Sequence, residues 1–145
     1  MRLRFALFLI AYFSGVTPTF AQISSKTPAE PPCVAASGVG QAHLLGLWRA
    51  EFAGVAQSAT VLLEKSREFA EGLAGGINRN GLQSQLAGDV DNGEFTLDES
   101  DDGINIAATW AGKVTDASCG REIRGLWTSS TGGQRAFVLR KASGW

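Results

Sequence analysis

Trp110 and Trp127 stand at matching points of two neighbouring runs in which apolar residues alternate with polar ones. With Phe52 and Leu63 they offer flat and branched walls of the kind that hold a small, mostly apolar ligand once a few polar groups orient it. Large apolar side chains at strand spacing also fill cores, so these four residues are candidate ligand walls and candidate packing at once. No other set offers comparable chemistry. The single histidine, His43, lies beside Leu44 and Leu45, has no second histidine with which to share a metal, and completes no convincing nucleophilic set with a serine and an acid. A Gly-x-Ser-x-Gly elbow is absent from the sequence. Asp98, Ser100, Asp102 and Gly103 follow the opening of a calcium loop, but its twelfth position is Thr109 rather than a bidentate glutamate, and a solvated hairpin tip explains them better. Gly72, Gly75 and Gly76 precede no helical pattern, so they suit a coiling strand rather than a phosphate cradle. The expectation is a protein that is not an enzyme, with no catalytic residues, cofactor or metal.

These side chains must be positioned by strands. Ile104, Ile106, Ala108 and Trp110 are two apart, as are Ile123, Gly125 and Trp127, and Trp48, Ala50 and Phe52 share a face opposite Arg49 and Glu51. Asn80-Gly81, Asn92-Gly93 and Asp102-Gly103 supply the positive φ angles of tight hairpins. Together these signals predict strands over 44–54, 58–65, 69–77, 82–90, 94–99, 104–114, 121–128 and 134–141. Short links make each strand the partner of its neighbour in sequence. The fold class is therefore all-β, an eight-stranded antiparallel up-and-down β-barrel, whose interior either fills with side chains or holds one small ligand. A β-sandwich is the alternative and would need longer crossing connections.

The N-terminus reads differently. Arg2 and Arg4, an apolar run over 5–16 and the small-x-small site Thr19, Phe20, Ala21 predict a secretory signal peptide over 1–21. No cysteine follows the expected cut, so no lipid anchor to a membrane is expected. Residues 22–43, with Pro28, Pro31 and Pro32, predict an extended N-terminal arm, and 44–145 the barrel domain. Removing two of the 13 basic residues leaves 11 against 14 acidic ones, a net charge of −3 that disfavours nucleic acid as a partner. Cys33 and Cys119, an even pair in an exported chain, predict a disulfide tying the arm to the barrel and a periplasmic or secreted location.

Gly46, Leu47 and Trp48 on the first strand, with Arg140 or Lys141 on the last, resemble the calycin superfamily, to which avidin, streptavidin and the lipocalins belong. In that pattern a G-x-W tryptophan closes one end of the barrel beneath a cation from the final strand. The likeness implies Trp48 and Arg140 as the barrel-closing pair. Ala108 to Gly112 and Ile123 to Thr128 are similar to the two avidin strands whose tryptophans line the ligand site, which implies ligand-binding roles for Trp110 and Trp127. Ala50, Gly54, Val138 and Leu139 stand where that family places its polar ligand contacts, and no tryptophan lies within 129–133. The likeness thus implies the barrel and its aromatic wall without implying biotin. Avidin-like barrels often associate through outward strand faces, and Ala107, Ala111, Leu126 and Phe137 could serve either such a contact or a monomer's surface.

Two functions follow as expectations. One is an exported binding module for a small, mostly apolar ligand. The alternative is an envelope protein that binds a protein partner, as an inhibitor or immunity protein, through acidic hairpin tips over 89–93 or 98–103.

Overall fold

A computed structural model of the chain describes residues 32–143; the expected signal peptide and the first part of the arm lie outside the described residues. Eight strands follow one another: β1 (Gly46–Phe52), β2 (Ala59–Lys65), β3 (Leu73–Arg79), β4 (Leu82–Asp91), β5 (Glu94–Ser100), β6 (Ala108–Val114), β7 (Glu122–Ser129) and β8 (Gln134–Lys141). Each pairs antiparallel with the next, and β8 returns to β1 through Ala50↔Leu139 and Phe52↔Phe137. This last pairing closes the barrel and removes both sheet edges. A sandwich is thereby ruled out.

The alternation of side chains sets what lies inside. Near the closed end the interior holds Trp48, Leu63, Leu73, Phe95, Ile123 and Leu139, all at most 1 % exposed. A middle layer follows with Val61, Ile77, Leu97, Trp110 and Phe137, each at most 2 % exposed. Phe137 was expected on the outer face and instead packs edge-on against Trp110, with ring centroids 4.8 Å apart. Gly112 on β6 leaves room for its ring, since a Cβ there would sit 3.0 Å from Phe137 Cζ, and Gly125, its register partner on β7, is needed because a Cβ there would sit 2.1 Å from the Ala111 carbonyl oxygen.

Two hairpins have the expected turn chemistry, with Asn80 and Gly81 at φ 54° and 90°, and Asn92 and Gly93 at 49° and 81°. Two segments expected as strand are not strand. Residues 104–107 belong to a loop, leaving Ile104 86 % exposed, because the Asp102 carboxylate accepts the backbone N–H groups of Ile104 and Asn105 at 2.8 and 2.7 Å. Likewise Ser66 Oγ accepts the N–H groups of Glu68 and Phe69, which bends the chain and delays β3 to Leu73.

The closed end is built from the arm. An extended arm was expected to residue 43, but its described part forms a 3-10 turn (Ala36–Gly38) and a single helical turn, α1 (Gln41–Leu44). Leu44 is wholly buried and its carbonyl accepts the Trp48 indole N–H at 2.7 Å. His43 has a local role, its Nδ1 accepting the Gly40 N–H at 3.0 Å. The cation over Trp48 is Lys141, with Nζ 5.7 Å from the ring and donating to the His43 carbonyl at 2.6 Å. Arg140 does not close the barrel. It pairs with Arg49 in register while Lys141 pairs with Trp48, and one residue along a strand exchanges the inner for the outer face. Outside, Arg140 bonds Glu51 at 2.7 Å and Glu122 at 3.2 Å. Cys33 and Cys119 form the expected disulfide, which fastens the arm to the β6–β7 connection.

A candidate ligand-binding cup at the open end

At the other end the inward positions change character. β1 ends in Phe52 and β2 begins with Ala59; β3 continues its inward series Leu73, Gly75, Ile77 to Arg79, and β5 continues Phe95, Leu97 to Glu99. Trp127 on β7 and Arg135 on β8 complete the ring. These residues surround a cavity of about 470 Å³ that opens between the β1–β2, β3–β4, β5–β6 and β7–β8 connections. Ala59 and Ala108 leave it empty where larger residues would fill it.

Glu99 organises the floor. It is the one buried charged residue among the described residues, 3 % exposed, and it accepts four N–H groups. The Arg79 guanidinium grips it with both terminal nitrogens, Nη2 at 2.9 Å. Trp110 Nε1 donates to Oε2 at 3.0 Å and Trp127 Nε1 to the same oxygen at 3.1 Å. Burial alone would push the carboxyl upward, but the Arg79 and Trp127 bonds, the Arg79 charge and the Trp110 bond outweigh it and hold the group below its ordinary value. Glu99 is therefore ionised, and its job is to orient two indoles and one guanidinium.

The wall above is aromatic. Phe52 meets Trp110 at 5.2 Å and Trp127 at 6.1 Å, both edge to face. The Arg79 guanidinium carbon lies 5.2 Å from the Phe52 centroid and 5.9 Å from that of Trp127, so the cation is steered by ring faces as well as by Glu99. Ser84 Oγ, on the far wall, donates to Asp101 at 2.6 Å.

Of the four residues expected to form the wall, Phe52 and Trp127 line the cavity. Trp110 lies beneath them, 1 % exposed, and reaches the floor only through its bond to Glu99. Leu63 does not contribute: it points inward, but it pairs with Gly46 and Gly75 near the closed end, four residues and roughly 13 Å along β2 from Ala59. Arg79 and Glu99 were missed, although the alternation that puts Ile77 and Leu97 inside puts them inside too. The acidic tips at 89–93 and 98–103 fall at opposite ends of the barrel, since successive connections of an up-and-down sheet alternate ends. In the second of them the Asp102 carboxylate is engaged by its own loop, whose Ile104 and Asn105 bonds hold it below the ordinary carboxylate range.

No protein-family model matches the chain, and no curated protein matches it.

Proposed function

We propose that this chain is an exported, non-catalytic barrel of the calycin type whose open end binds a small, largely apolar ligand. The observation that carries the reading is the cavity of about 470 Å³ bordered by Phe52 and Trp127, within the size range of small-molecule sites and furnished with a few fixed polar groups. Trp48 beneath Lys141 supports the calycin likeness, and the Cys33–Cys119 disulfide is compatible with export. A non-catalytic role is supported by the bonding of Glu99: a carboxylate that accepts four N–H groups and is held ionised is poorly suited to exchange a proton with a substrate.

The test is a tryptophan-fluorescence titration of residues 22–145 with biotin and a panel of flat apolar compounds, run beside thermal denaturation. At least one compound is expected to give a saturable change and to raise the melting temperature, because a ligand that binds only the folded state stabilises it by mass action. Both effects should vanish in Ser84→Phe, which fills the cup from β4. A response that survives filling of the cup, or a folded protein indifferent to every compound, rejects the reading.

A further inference from the structure

The polar groups of the cup are unequally committed. A guanidinium has five N–H donors, and Arg79 gives only two bonds to protein, both to Glu99. Arg135, exposed on the rim of the same cavity, makes one long bond, Nη1 to the Ala53 carbonyl at 3.4 Å, and has no carboxylate within ion-pair reach among the described residues. On the acidic side, Glu99 already accepts four N–H groups, and Asp101 accepts Ser84 on the opposite wall, across β4 and β5. The uncommitted donors therefore lie in one sector of the mouth, running from β8 across β1 and β2 to β3, with the Phe52 ring between the two cations and the small Ala59 beside it.

Resting on the ligand-binding reading above, we infer that the cup takes a monoanion, a carboxylate or sulfonate carried on a flat apolar body, with the body against the cavity wall that Phe52 and Trp127 share and the anionic head on Arg135 and Arg79. An arginine fork matches the two-oxygen edge of such a head, and charge-assisted bonds of this kind are stronger than neutral ones. The apolar body provides what water gives up readily, and the head faces the mouth, where it keeps part of its hydration.

Two probes with the same ring system separate the head from the body: 1-anilinonaphthalene-8-sulfonate and its uncharged parent N-phenyl-1-naphthylamine, both followed by their own fluorescence with the protein at low salt. The sulfonate is expected to bind about tenfold more tightly than the neutral compound, and Arg135→Gln, a change at an exposed position, should weaken the sulfonate by about three- to tenfold while leaving the neutral probe unchanged. Raising the salt should weaken the sulfonate alone. Ser84→Phe should abolish both signals and so place them in the cup. Equal or tighter binding of the neutral probe, or sulfonate binding indifferent to Arg135→Gln, overturns the anion assignment while the cup remains a ligand site. Failure of both probes to bind, or binding that survives Ser84→Phe, overturns the anion assignment together with the reading beneath it.

Discussion

Glu99→Gln tests whether the floor of the cup is held by charge or merely by shape. The substitution keeps the volume of the side chain but leaves one acceptor oxygen and adds an NH2 donor. With the amide oxygen in the place of Oε2, the bonds from Arg79 Nη2, Trp110 and Trp127 persist in weaker form, without the carboxylate charge. The NH2 then faces Arg79 Nη1, donor against donor. Removing one partner of a buried ion pair costs about 3 to 5 kcal/mol. The Arg79 side chain is 32 % exposed and can recover water, which lowers the expected loss to about 2 to 3 kcal/mol.

Urea denaturation at several pH values measures this. Because the folded protein holds Glu99 below its ordinary value of 4.5, the wild-type advantage is fully present above that value and is lost as pH falls through the lower folded one. The gap between wild type and Glu99→Gln should therefore be constant near neutrality and narrow only in acid. A gap below about 0.5 kcal/mol at pH 7, or one that widens on acidification, refutes the reasoning. In a cycle with Arg79→Met, a coupling of about 1 to 2 kcal/mol is expected, and additive effects would show that the two side chains do not act as a pair.

Lys141→Met should destabilise by about 1 kcal/mol through loss of the cation over Trp48 and of the bond to the His43 carbonyl, whereas Arg140→Met should stay within about 0.5 kcal/mol of wild type; the reverse order in denaturation would restore Arg140 as the closing residue. Gly125→Ala brings a methyl to 2.1 Å from the Ala111 carbonyl and should cost about 1 to 3 kcal/mol or more, so a wild-type midpoint would mean that β6 and β7 are further apart than described. Asp102→Ala should speed amide exchange at Ile104 and Asn105 without moving the global unfolding midpoint, and unchanged protection there would show that the loop is ordered by something else. Reduction of Cys33–Cys119, separated by 86 residues, should lower stability by about 2 to 4 kcal/mol, with about 4 to 5 kcal/mol as the chain-entropy ceiling; a midpoint indifferent to reductant would mean that the closed end holds the arm unaided.

The barrel was legible because its information is local and repeated. Period-two alternation, Asn-Gly turns and short links each specify the same neighbour pairing, and β1–β8 closure then follows from the need to hide two edges. The departures lie where a single side chain overrides the pattern. Asp102 captures the N–H groups that Ile104 and Asn105 would otherwise give to a strand, and Ser66 does the same for Phe69. Both residues act over two or three positions, so periodicity counted over a whole segment passes over them. Height along the barrel was equally hidden for Leu63, since a period of two assigns a face but not a level.

Arg79 and Glu99 expose a different gap. Their position inside was implied by Ile77 and Leu97, yet a charge at the end of a strand is ordinarily read as a solvated edge, and each looks so when taken alone. They become intelligible only as a pair. Arg79 on β3 is four strands from Trp127 on β7 either way round the barrel, and Glu99 on β5 sits two strands from each, so the contacts that join all three exist only once the sheet has curled into the barrel. A barrel could have filled this level with Val or Leu, as it does one level below with Val61, Ile77 and Leu97. A buried ion pair is rarely the more stable choice over packed apolar residues, so its presence under a cavity argues for positioning rather than stability: it holds Trp127 and Arg79 at the cup wall in one geometry.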